Sequence, residues 1–167
     1  MTNYKISIKR NRISDFADHY MTKREFIKFA ENMIAYDQLG HFLDKYLDIP
    51  VEYSEVENQI DLVPSREVSE DEWYRAAINY FEHDGGQVVV KSIYKIRIHW
   101  APFDQGREVF YMTVDEFIEH ARNCVINDGS NERINHAQDA IDYFESDGST
   151  IEVSIDGFNK IHEFVSE

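Results

Sequence analysis

His120 and Cys124 stand four residues apart, a spacing that puts both on one face of a helix, and His136 follows beyond the next turn. Zinc takes three or four such ligands in a rigid set, usually supplied through a C-x-x-C pair or an H-E-x-x-H helix. Neither pattern occurs here, and Cys124 falls on the apolar stripe of its helix, where a small buried thiol is the simpler role. No metal centre is expected. The acidic, glycine-bearing stretches "NDGSNE" and "SDGSTIE" do not fit a calcium loop, which needs alternating Asp/Asn ligands and a glutamate at its twelfth position. "HDGGQVVV" runs from helix into strand and lacks the lysine of a phosphate loop, so Gly85 and Gly86 read as a helix cap. With 7 histidines and 32 carboxylates, His–Asp neighbours arise by chance, and the pair His83–Asp84 becomes Ser146–Asp147 in the second half of the chain. The expectation is a protein without catalytic residues and without a cofactor.

The charge balance is the more informative signal. The 167 residues carry 32 Asp and Glu against 17 Lys and Arg, a net charge of −15. Such a field repels nucleic acid and anionic membranes, because each phosphate contact requires a cation from the protein. The expected partner is therefore a basic macromolecule, with no direct nucleic acid and no membrane. Residues 1–34 hold seven bases and four acids, so the negative field comes from residues 35–167, with 28 acids against ten bases. A 43% hydrophobic and 14% aromatic composition indicates a folded globule rather than a disordered acidic chain. Cys124 is the only cysteine, which excludes an intramolecular disulfide and favours a reducing compartment. The first residues, "MTNYKISIKRNR", lack the apolar core of a signal peptide, and no run approaches the length of a membrane span. A cytoplasmic location is expected, as a monomer or homodimer.

The elements that must position these charges are written twice. "YKISI" at 4–8 returns as "YKIRI" at 94–98, and "YMTKREFI" at 20–27 as "YMTVDEFI" at 111–118. "AAINYFEHDGG" at 76–86 returns as "DAIDYFESDGS" at 139–149, and "VVV" at 88–90 pairs with "IEV" at 151–153. The offset falls from 91 to 63 between the helical blocks, so the first copy carries 28 extra residues. The chain thus reads as two unequal tandem repeats, 4–93 with an insert at about 38–65, and 94–167. Two repeats are too few for a solenoid, and one pseudo-symmetric domain spanning 1–167 is expected.

Each repeat has helix signals. Thr22 with Glu25, Thr113 with Glu116 and Ser69 with Glu72 have capping-box spacing. Phe26, Ile27, Ala30, Met33 and Ile34 recur at helical spacing, as do Phe117, Ile118, Ala121, Cys124 and Val125. Tyr74, Ala77, Ile78 and Phe81 form the apolar face of a second helix, matched by Ala137, Ala140, Ile141 and Phe144. "YKISIKR", "QVVVKS", "YKIRIHW", "REVFYM", "TIEVSI" and "FNKIHEFV" read as strands, with "IDGF" as a hairpin turn. Each copy is then strand, strand, helix, helix, strand, and the halves are expected to share an antiparallel sheet. The insert adds a helix, "DQLGHFLDKYL", and an acidic loop between Pro50 and Pro64. The fold class is α+β.

Two acidic clusters follow. Asp139, Asp142 and Glu145 lie three apart and rise about 4.5 Å per step along one helix, with Asp147 just beyond. The insert supplies Glu52, Glu55, Glu57 and Asp61. Duplex DNA presents one phosphate charge per ~1.7 Å of axis, and two acidic ridges on a compact scaffold can imitate it. In size, charge, lone cysteine and aromatic content the chain resembles the acidic DNA-mimic inhibitors of bacteriophages and mobile elements, the antirestriction and anti-CRISPR proteins; no family motif is shared. The resemblance implies a non-enzymatic inhibitor of a nucleic-acid-processing defence protein, acting in the host cytoplasm if phage-encoded. These eight carboxylates are its expected partner-binding residues. Two alternatives remain open: an immunity protein or antitoxin neutralising a cognate basic toxin, and an adaptor using Tyr36, Phe42, Tyr46 and Tyr53.

Overall fold

The computed structural model describes residues 2–33, 45–46, 50–56, 59–101 and 106–167. The chain is α+β and divides into two compact units, residues 3–90 and residues 91–167 joined by 1–2.

The first unit begins with β1 (Tyr4–Lys9), β2 (Ala17–Met21) and α1 (Lys23–Met33). A hairpin of β3 (Val51–Val56) and β4 (Gln59–Pro64) follows, then α2 (Glu70–Glu82), a single 3-10 turn and β5 (Gln87–Ser92). Alternation in "YKISIK" turns Ile6 and Ile8 to one face of β1, where they are buried against Phe26 and Ala30 of α1 and Ala77 and Phe81 of α2. Thr22 and Glu25 cap α1 reciprocally: the Glu25 carboxylate accepts from the Thr22 backbone N–H at 2.8 Å, and the Thr22 hydroxyl accepts from the Glu25 N–H at 3.2 Å. Ser69 and Glu72 do the same for α2. Arg66 also donates to Glu72 at 2.7 Å, and that bond, with the Ser69 N–H, holds the Glu72 carboxyl down to about 2. The bases of the first 34 residues are partly spent inside this unit: Lys5 pairs with Asp18, Lys23 with Asp71 and Arg24 with Glu70.

The second unit runs β6 (Tyr94–His99), β7 (Arg107–Met112), α3 (Val114–Asn127), α4 (Ala137–Glu145), β8 (Thr150–Ile155), β9 (Phe158–Asn159) and α5 (Ile161–Ser166). Its sheet has the order β7-β6-β8-β9, every neighbour antiparallel. Ile96 and Ile98 of β6 are buried against Phe117, Ala121, Val125, Ala140, Ile141 and Phe144. Thr113 and Glu116 close the expected capping box on α3. The "IDGF" turn places Asp156 at φ 49° and Gly157 at φ 85°, the pair of left-handed residues that a tight hairpin requires.

Three expectations need correction. The halves do not share a sheet: among the described residues β1 lies between β2 and β5, and β6 between β7 and β8. Each first strand is flanked by strands of its own half: β2 and β7 follow directly as antiparallel neighbours, as sequential strands commonly do, while β5 and β8 return only after the helices. The supposed acidic loop of the insert is the β3–β4 hairpin, with Glu52 opposite Val63 and Glu55 opposite Ile60; alternating apolar residues at Val51, Tyr53, Ile60 and Leu62 carried that period beneath the charges. "FNKIHEFV" is a strand for only two residues. Asn159 then accepts the Ile161 N–H through its side chain at 3.0 Å, and the chain coils into α5 to bury Phe164. The insert helix "DQLGHFLDKYL" falls largely outside the described residues, as do Glu57 and the side chains of Glu52, Glu55 and Asp61.

Phe164 is 0% exposed and packs on Phe117 and Tyr94. Phe164→Ala is expected to lower the unfolding free energy by about 3–5 kcal/mol in urea titrations. A Cβ on Gly86 would stand 1.8 Å from the Phe81 carbonyl oxygen and 2.9 Å from that of Lys9, both backbone atoms. Gly86→Ala should therefore cost about 3 kcal/mol in the same assay.

Candidate binding site

The residues marked by the sequence in the second unit come together on and just beyond α4. Asp142, Glu145 and Asp147 are exposed and Asp139 is half-buried. Each is held. The Asp139 carboxylate accepts from the backbone N–H of Asn135 at 2.9 Å and of His136 at 3.0 Å, which caps α4. Asp142 accepts from the Gln138 amide at 2.7 Å. Glu145 accepts the Ile151 N–H at 3.1 Å, tying the helix to β8, and Asp147 accepts the Ser149 N–H at 3.0 Å. The Asn135 and His136 amides keep Asp139 below the usual carboxylate range, and Ser149 does so for Asp147, through its hydroxyl and its backbone N–H. From 123 to 159 the sequence has eight carboxylates and one base, Arg133. The carboxylates of α4 are thus held in position by hydrogen bonds, in a stretch of sequence with few Lys or Arg residues.

Beside α4 lies a feature the sequence reading missed. A cleft of about 440 Å³ opens at the C-terminal ends of α3 and α4, with Trp100, Cys124, Tyr143 and Phe144 as walls and Asp128 and Asp147 on its rim. Trp100 meets Phe144 edge-on at 5.9 Å between centroids. The Tyr143 hydroxyl donates to Asp128, and burial first, then the Asp128 charge, pushes its pKa well up. Burial likewise raises the Cys124 thiol, helped by Asp128 and Glu108. The cleft therefore holds a neutral thiol, a neutral phenol and two carboxylates.

The first unit has a cleft at corresponding positions, of about 310 Å³, with Arg10, Met33, Tyr80, Phe81 and His83 in its lining. These stand at the repeat offsets from Trp100, Cys124, Tyr143, Phe144 and Ser146. The signal was present in the duplicated "YF" and in the Met33–Cys124 match, but lining residues drawn from three separate blocks cannot be assembled without the fold. Here two further lining residues, Lys45 and Tyr46, come from the insert. The Tyr46 ring meets Tyr80 edge-on at 5.9 Å and His83 at 5.8 Å, and its carbonyl accepts from the Asn79 side chain at 3.0 Å. Of the four residues of the adaptor reading, Tyr46 is packed in this way; Tyr36, Phe42 and the side chain of Tyr53 lie outside the described residues.

The His120–Cys124 pair is real as a contact, with sulfur and Nε2 3.9 Å apart, but His120 packs its ring on Phe110 and Phe144. Among the described residues no group of three or more His, Cys, Asp or Glu side chains is placed to hold a metal. No helix among them is long and apolar enough to cross a membrane. Comparison with protein-family models, with curated proteins and with solved structures returns no match.

Because the folded state depresses the Asp139 pKa, the stability this carboxylate adds is complete above its unfolded value of about 3.9 and disappears as pH falls through the lower folded value. Asp139→Asn, which keeps an acceptor and drops the charge, is expected to lower the urea midpoint at neutral pH. The gap from wild type should close as pH falls below about 5 and through the depressed folded value, as read by circular dichroism.

Proposed function

We propose that this protein is an acidic, non-enzymatic inhibitor that blocks a nucleic-acid-processing defence protein, of restriction or CRISPR type, by offering carboxylates where its target expects phosphates. The observation that carries the reading is the cation-poor stretch around α4, where Asp142, Glu145 and Asp147 are exposed and held by hydrogen bonds to neighbouring groups. Charges already fixed in place lose little side-chain entropy on docking and steer a basic target from a distance. The insert carboxylates Glu52, Glu55, Glu57 and Asp61 belong to the same proposal, with Glu52, Glu55 and Asp61 on the strands of the β3–β4 hairpin.

A second reading, neutralisation of one cognate basic toxin, draws on the aromatic cleft, since a shaped pocket selects a particular side chain where a charged ridge selects only a sign. Competition separates the two: a phosphate mimic is displaced by excess duplex DNA and binds several unrelated basic proteins, whereas a cognate inhibitor tolerates DNA.

The test is DNA cleavage by a panel of restriction and CRISPR nucleases with added protein. Inhibition that weakens with added duplex and with salt is expected for at least one nuclease. Asp142→Lys combined with Glu145→Gln, the glutamine retaining an acceptor for Ile151, should reduce potency about tenfold or more and flatten the salt dependence. Undiminished cleavage across the panel, or a double variant as potent as wild type, would overturn the proposal.

A further inference from the structure

The two clefts share a plan but differ in what fills them. In the first unit, Lys45 and Tyr46 of the insert stand in the lining, and Asn79 donates to the Tyr46 carbonyl. The second repeat has no insert, and among the described residues no corresponding segment lines its cleft, which is also the larger of the two at about 440 Å³. At matched lining positions the second cleft loses its basic groups: Arg10 is replaced by Trp100, and His83 by Ser146. Asp128 and Asp147 complete an acidic rim. A pocket that lacks the first unit's arginine and histidine, bears two carboxylates and gains an indole suits a cation. Of the cationic side chains, guanidinium is the better match, being planar, weakly hydrated, able to stack on an aromatic face and to bridge carboxylates with several N–H donors.

We propose that the cleft formed by Trp100, Cys124, Tyr143, Asp128 and Asp147 receives an arginine side chain from a basic partner protein, standing where the first unit places its own Lys45–Tyr46. The inference rests on the inhibitor reading for the nature of the partner, and adds a docking point to the charged face. The occupant is a protein side chain rather than a free guanidinium compound because its counterpart in the first unit is a main-chain segment, gripped through a carbonyl as well as a ring.

Cys124 is the only thiol in the chain and lies in the cleft wall, so its alkylation by a maleimide reports occupancy. The probes are the capped tetrapeptide Gly-Arg-Tyr-Gly, the same peptide with neutral citrulline for arginine, and free arginine amide. With the arginine peptide at ten times its dissociation constant, alkylation should slow about tenfold, by mass action. The citrulline peptide and arginine amide should protect weakly at equal concentration. Asp128→Asn with Asp147→Asn should abolish protection while remaining folded by circular dichroism, since asparagine still accepts from Tyr143 and Ser149. Its unliganded thiol should react faster, because a charge that raises the Cys124 pKa is gone. Trp100→Leu provides a second variant, also expected to lose protection. Equal protection by citrulline overturns the guanidinium assignment, equal protection by arginine amide overturns the protein docking point, and no protection by any probe overturns the site. No protection of the wild-type thiol with nuclease inhibition intact removes this inference alone; protection of the wild-type thiol without inhibition of any nuclease removes the inhibitor reading instead.

Discussion

In each unit the fold turns on one buried aromatic contact between two helices laid across the first strand. Phe26 meets Phe81 with ring centroids 5.6 Å apart, and Phe117 meets Phe144 at the same 5.6 Å. The isoleucine pairs Ile6 with Ile8 and Ile96 with Ile98 lie in the same cores. Once those rings are buried, much else is constrained. The capping boxes set where each helix begins, and beside Tyr80 and Phe81, or Tyr143 and Phe144, a cleft opens in each unit. The clefts border the packed rings, and their linings differ.

The helices and most strands were legible in the sequence because their signals are local. Capping boxes at Thr113 and Ser69, alternation in "TIEVSI" and the "IDGF" turn are all read over a few residues, and the structure has each of them in place. What escaped depends on competition between local and distant terms. β-like composition at 158–165 lost to the Asn159 side-chain bond to the Ile161 N–H and the burial of Phe164. The glutamates of the insert hid the alternation of a hairpin. Strand pairing across the repeat was the natural guess from two similar halves, yet each first strand is flanked by strands of its own half, one of them returning only after the helices.

The candidate site was half legible. The acids of α4 could be counted from the chain, but their hydrogen bonds could not, and these change what the acids mean. A run of like charges three apart should weaken a helix. Here Asp139 caps the helix and Glu145 fastens its far end to β8, so the ridge contributes to the scaffold as well as to its field. The cleft was not legible at all, since Trp100, Cys124 and Tyr143 are brought together from strand end, first helix and second helix.

Anchoring by backbone amides also limits how this surface can meet another molecule. Glu145 commits one oxygen to the Ile151 N–H of β8, and Asp147 is held by Ser149 through its hydroxyl and its backbone N–H. Neither carboxylate can swing toward an ill-placed donor without letting go of its own chain. Any molecule that docks here must therefore bring its donors to fixed points, which makes the spacing of those donors, rather than their number, the criterion for entry.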